Sequence, residues 1–373
     1  MKAPVRATPQ EPRRCPAGAR TTKDMKRFLD FNWVPRSAWL DRVMASSPLI
    51  VCDIGANGGL EERWKRLKQF CFFILFEPRD DGVPKPGQAV FKTALWSSKR
   101  VLPFYTTAFP QASSLFLPNA PVVSRHNNAE NMEIVSTDEI SVDAMDDVIG
   151  NAYRPDFIKI DTEGADLEIL KGAQRVITDR CLGLQVEVQF ERLRIDSPLF
   201  SECDVFIQKH GYVLWNLYLM RFVAASNRIG ATTNHQATVA DAVYFLSIEE
   251  FQKRLDREPS DDKEAMIVKF LLVLLAYGAH DYAATILGSQ KPILREEAYI
   301  NMQSLVRRAM PSFWLSAALF SGLILVLLPP WVLSQFTGIK FFNCDYRFRK
   351  QVKNLSRLFF IWSARGRSGE IAE

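Results

Sequence analysis

The chain has 373 residues, 47% of them hydrophobic, and a formal net charge of +5. That length exceeds one ordinary domain and allows a packed core with extensions. The charge is too mild to argue for a nucleic-acid partner, and the six cysteines (Cys15, Cys52, Cys71, Cys181, Cys203, Cys344) form no C-x-x-C pair, which fits reduced, buried thiols in a cytosolic protein and excludes a disulfide framework.

Residues 1–27 are rich in Pro, Arg, Ala and Thr and lack the apolar centre of a signal peptide, so they read as a disordered lead. Phe28 to Met44 carries Trp33, Trp39 and Leu40, and predicts a short helix after Pro35 that packs on a sheet. Pro48 to Ile54 is a short apolar run with β-branched members, the pattern of a buried strand. It ends in Asp53 and turns at Gly55-Ala56-Asn57-Gly58-Gly59 into a helix built around Leu60, Trp64 and Leu67. Gly55 permits a sharp turn and leaves room for a ligand against the backbone. Cys71 to Glu77 predicts a second strand closed by an acid, and an acid roughly 20 residues after the first turn is the usual partner of a ribose diol.

The turn is not the dinucleotide fingerprint, because no G-x-G-x-x-G follows the first strand. A carboxylate at this position repels a pyrophosphate but suits a cation. S-adenosylmethionine, with its sulfonium and ammonium groups, fits an acidic loop, and Glu77 would take its ribose hydroxyls. The bland alternative makes Asp53 a helix cap and Glu77 a solvated strand end. About a hundred residues on, Phe157, Ile158 and Ile160 predict another buried strand ending in Asp161 and Glu163, followed by the helical face of Leu167, Ile169, Leu170 and Ala173. Two such units set two acidic loops at the carboxyl edge of a parallel sheet, where open α/β sheets bind ligands.

Together the two motifs resemble the FkbM family of S-adenosylmethionine-dependent methyltransferases. The signature is Lys159-Ile160-Asp161-Thr162-Glu163-Gly164 followed by Glu168-Ile169-Leu170-Lys171-Gly172-Ala173. Ser113-Ser114-Leu115, Leu184 to Val188, Pro198-Leu199-Phe200, Gly211 to Leu214 and Asp241 to Phe245 agree with it, from about Pro48 to Leu246. Pro84-Lys85-Pro86-Gly87 departs from it, standing where the family commonly has a helix. The resemblance implies a Rossmann-like class I methyltransferase sheet over 28–247, mostly parallel with an antiparallel last strand, and a C-terminal helical extension. It implies methyl transfer to a hydroxyl, on a sugar, glycolipid or secreted metabolite. It carries over Asp53, Gly55, Asn57, Gly59 and Glu77 as cofactor contacts, and Asp161 and Glu163 as residues at the catalytic mouth.

A hydroxyl acceptor must lose its proton, so a general base is useful. The candidates are Asp161, Glu163, Glu187, His126 and His235, of which Asp161 ends a central strand and is best placed; its bland reading is a cap for the next helix. His126 and His235 stand in polar loops where solvated histidines are common, and no metal-ligand spacing appears among the four histidines.

Residues 248–308 read as helical, with Glu264 to Tyr277 strongly apolar around Lys269. That stretch is too short for a membrane span; it fits a small helical unit that covers the acceptor site or makes a homodimer contact. Ala309 to Ile339 contains no charged residue, and a basic tail follows over 340–373. A hairpin turning at Pro329-Pro330 would keep both ends inside and lay the tail on an anionic surface. The segment 309–367 is thus expected to hold the chain at the inner face of the cell membrane; a helix buried in the fold or between two copies is the alternative. A non-catalytic membrane-tethered scaffold and a nicotinamide-dependent oxidoreductase are the competing functions.

Overall fold

The computed structural model describes residues 37–56, 61–78, 84–225 and 236–309, with positions 321, 322 and 352. The strands among them are β1 (Leu49–Ile54), β2 (Cys71–Phe76), β3 (Gln88–Phe91), β4 (Ala94–Trp96), β5 (Arg100–Thr107), β6 (Ile134–Ala144), β7 (Phe157–Ile160), β8 (Gly183–Gln189), β9 (Tyr212–Phe222) and β10 (Gln236–Leu246). Seven of them form one sheet in the order β3-β2-β1-β7-β8-β10-β9, and β4-β6-β5 form a small second sheet. Neighbours from β3 to β8 are parallel, and β10 runs antiparallel to both β8 and β9. This is the expected class I arrangement, with the last strand in the chain reversed.

The central strands are buried on both faces because both faces are covered. Every residue of β7 and of β8 is buried. Neighbouring residues of β10 show the two layers. The Tyr244 hydroxyl bonds to Asp204 in helix α4 (Phe200–Lys209), on the face shared with α3 (Asp166–Gly172). Phe245 packs the other way, 5.7 Å from the Tyr277 ring. That second face holds α2 (Glu62–Leu67), whose Trp64 ring packs at a tilt against Phe157, centroids 5.0 Å apart, and the C-terminal helices α5 (Ile248–Arg257), α6 (Ser260–Ala276), α7 (His280–Gln290) and α8 (Glu296–Ala309). The short helix α1 (Ala38–Ser46) buries Leu40 and Met44.

Helix α6 explains the apolar stretch around Lys269. Ala265 through Ala276 are all buried, and these residues share one continuous core with the sheet. Lys269 is tolerated there because its ammonium reaches Asp156 at 2.9 Å. No helix among the described residues is long and apolar enough to cross a membrane. The apolar segment after Ala309 and the basic tail lie outside the described residues. Cys52, Cys71, Cys181 and Cys203 are buried free thiols, as expected.

Candidate active site

The carboxyl ends of β1, β2 and β7 open into a cleft of about 350 Å³. Its floor is Ile54, Gly55, Phe76 and Glu77; its far wall is Asp161, Thr162, Glu163, Glu187 and Asp241. Its roof comes from the small second sheet and the turn after β5, through Leu95, Phe104, Ser113, Ser114 and Leu115. The serine stretch therefore does face the site. Ser114 also fixes the acidic loop, donating from its hydroxyl to the Glu163 carbonyl at 2.8 Å.

Gly55 has φ +83, a left-handed conformation. The space beside it is taken by the protein itself, since a Cβ there would stand 2.0 Å from the Asp161 carbonyl oxygen. The first turn and the second acidic loop are thus packed backbone to backbone. Register brings their side chains together: Asp53 lies opposite Lys159. The Lys159 ammonium sits 3.4 Å from Asp53 and 3.0 Å from Asp161, so two carboxylates share one cation. Asp53 is 4% exposed. Burial pushes its carboxyl up to about 6, partly opposed by Lys159 and reinforced by Asp161 and Glu61.

Asp53 is not a helix cap, because α2 starts after Glu61 and has no side-chain cap. Asp161 is not one either. The loop into α3 is organised by Asp166, which accepts from the Thr162 amide (3.3 Å), the Thr162 hydroxyl (3.2 Å) and the Gly164 amide (3.1 Å). Burial raises the Asp166 carboxyl to about 7, with Asp161 adding and these hydrogen bonds opposing. Glu163 has φ 58, a conformation costly for a non-glycine residue and typical of sites that hold a side chain in one place. Its carboxylate is clamped by Arg194, whose side chain is fully buried. Burial raises Glu163 against the pull of that arginine.

Glu77 is 7% exposed and ends β2 on the cleft floor, so it is not a solvated strand end. Asn57 and Gly59 lie outside the described residues, as does His235. His126 differs from expectation: it is buried, 4% exposed, 3.7 Å from Glu191 and edge-on to Phe222. The polar sequence around it suggested a solvated loop, but the chain pairs back at Ala224 and covers it. It does not line the cleft.

Asp241 and Arg194 are the site residues that sequence reasoning did not single out. Asp241 had a signal, being one acid inside the apolar run Thr238 to Leu246. In β10 it stands opposite Glu187 of β8. Burial, with Asp161 and Glu61 adding and Lys159 and Arg63 opposing, lifts Asp241 to about 6. Glu187 is raised well above its ordinary value by burial and then by Glu163, Asp161 and Asp166, with Arg194 opposing. The cleft is therefore a concave, partly apolar site with an excess of carboxyl groups, suited to a cation, to hydroxyl donors and to proton acceptance.

No curated protein matches the chain. Among solved structures it is similar to the crystal structure of methyltransferase FkbM from Methylobacillus flagellatus KT, at 16% identity and a TM-score of 0.30. That match covers 57% of this chain and 48% of the other, so the chain spans about half the length of that protein. The family model for the methyltransferase FkbM domain matches residues 26–214. Since that match takes in half the chain and every strand from β1 to the start of β9, the chain belongs to the FkbM methyltransferase family.

Proposed function

We propose that the protein is an S-adenosylmethionine-dependent O-methyltransferase that acts on a hydroxyl of a sugar, glycolipid or secreted metabolite. The observation that carries this reading is the acid-walled cleft at the carboxyl edge of β1, β2 and β7, with Glu77 buried on its floor. A cleft of this size and polarity favours a small cationic cofactor over an anionic one. S-adenosylmethionine supplies a methyl group on a sulfonium, a leaving group that needs no acid from the protein. The chain's part is to hold, orient and desolvate. Glu77 accepts hydrogen bonds from the ribose hydroxyls. Gly55 lines the cleft at the turn, and Asp53, Asn57 and Gly59 are assigned to the cofactor from the family resemblance. Asp161 and Glu163 stand at the mouth and accept from hydroxyls of the acceptor, the second held rigid by Arg194 and Ser114.

Calorimetric titration of S-adenosylmethionine into the full chain tests this. Wild type binds, and Glu77→Ala loses about 10- to 100-fold in affinity, the effect of removing a charge-assisted hydrogen bond. Failure of the folded wild type to bind would sink the reading. The assignment of 309–367 to a membrane surface rests on composition alone, and so does a homodimer contact. Flotation with anionic vesicles tests the first; a chain that stays with the soluble fraction removes the membrane from the proposal.

A further inference from the structure

The geometry points to Glu187 as the general base of methyl transfer, held neutral until the cationic cofactor binds and ionised by it. This rests on the cofactor reading above. A base needs a carboxylate on the cleft wall and no competing cation. Asp161 has one oxygen on Lys159 at 3.0 Å, and Glu163 has one on Arg194. Each of these two carboxylates already has a cation on it. Glu187 differs. It lines the cleft, is 8% exposed, makes no ion pair among the described residues, and its Oε2 is buried without a hydrogen-bond partner. No other cleft-lining side chain among the described residues has such an orphaned atom.

A buried oxygen with no partner costs stability unless a ligand satisfies it or a proton neutralises it. The groups that face Glu187 favour the proton. Asp161 and Glu163 press on it from the loop after β7, Asp166 from the start of α3, and Asp241 stands opposite it on β10. Arg194 opposes them. A sulfonium placed in the cleft reverses the balance and drives the proton out. The acceptor's O–H bond then breaks, its proton passes to the Glu187 carboxylate, and the oxygen's electron pair forms the bond to the methyl carbon. The pair of the broken C–S bond stays on sulfur, leaving a neutral thioether and a protonated Glu187. Loss of cationic charge from the cleft matches regain of the proton by the base.

The test needs no acceptor. S-adenosylmethionine and S-adenosylhomocysteine differ by the charged methyl group, so each is titrated calorimetrically into the full chain near neutral pH, in buffers of different ionisation enthalpy. The buffer dependence counts protons released. Wild type is expected to release up to about one proton more with S-adenosylmethionine than with S-adenosylhomocysteine. Glu187→Gln abolishes the difference and leaves S-adenosylhomocysteine affinity within about 2-fold; Asp241→Asn keeps the difference; Glu187→Asp, which restores a carboxyl, keeps it in part. Release that persists in Glu187→Gln, or no difference in wild type despite binding of both compounds, overturns the assignment and leaves the cofactor reading standing. Binding of neither compound overturns both.

Discussion

Strand β7 joins two buried charged regions that are built in opposite ways. Before its first residue, Asp156 meets Lys269 at 2.9 Å and Arg180 at 3.7 Å; Arg180 continues to Glu258 at 3.3 Å, and Glu258 through Arg154 to Asp179. Each charge there faces an opposite one, and the pairs tie α6 and α5 to the sheet. After its last residue, Asp53 and Asp161 share Lys159, Glu163 has Arg194, and Glu187 and Asp241 form no ion pair among the described residues. The first end resembles the paired burial that folding tolerates; the second leaves charge uncompensated, as sites do that must receive a cation or move a proton. The contrast says which end to disturb if the aim is stability and which if the aim is chemistry.

The strongest way to break the paired end is Lys269→Met. It leaves Asp156, which is 0% exposed, without its nearest cation. Stranding one member of a buried pair costs about 3–5 kcal/mol, read as a fall in the urea midpoint at unchanged slope. Asp156→Asn in that background recovers part of the loss, since the amide oxygen can still accept from Ile50 N–H, which lies 2.8 Å from the carboxylate. No recovery would mean that Lys269 matters for packing and not for charge.

Next in size is Gly55→Ala, at the contact where the two halves of the cleft meet. A methyl group cannot stand 2.0 Å from the Asp161 carbonyl oxygen, and φ +83 is itself strained for alanine. Backbone must move, at about 1–3 kcal/mol, and the acidic loop moves with it. The expected result is a lower melting temperature together with weaker S-adenosylmethionine binding. A stable variant with intact binding would show that the two loops are not mechanically joined.

Much of this was legible in sequence, and the failures are specific. The strands of the main sheet announce themselves because runs such as Cys71 to Phe76 are apolar on both faces, and Phe157 to Ile160 is apolar but for Lys159. Glu77 and Asp161 follow directly, being the first polar residues after such runs. Lys269 inside an apolar helix signalled a buried acid without naming it. The small second sheet was not legible. Most of β6 is exposed on both faces, so its alternation carries no signal, and β5 contains Pro103, which demotes a strand reading and is tolerated because β5 is an edge. The pairing of Asp241 with Glu187 depends on register between strands far apart in the chain, and one strand's sequence does not contain it. The clamp of Glu163 by Arg194 is likewise a product of the fold.

The smallest effect is the most discriminating, because it has the opposite sign at the two ends. Asp241→Asn removes an acid from the uncompensated side. The Asp241 carboxyl stands at about 6 in the folded chain, against 3.8 for an ordinary aspartate. Between those values the folded protein holds a proton that the unfolded chain has released, so this group's contribution is full below pH 3.8 and is lost as pH rises through about 6. Wild type therefore loses more stability over that window than the variant, which keeps the raised carboxyls of Asp53 and Asp166 but has no acid at position 241. At pH 8 the asparagine chain is expected to be the more stable by roughly 1 kcal/mol, a fraction of what the shift alone implies because the group is only partly buried. Denaturant titrations at pH 5 and pH 8 check it. Binding should move the other way, with S-adenosylmethionine affinity falling in the variant as a negative charge leaves the cleft. A variant less stable than wild type at pH 8 would place Asp241 with the structural acids of the opposite end, and the excess charge around it would have to be explained by the fold alone.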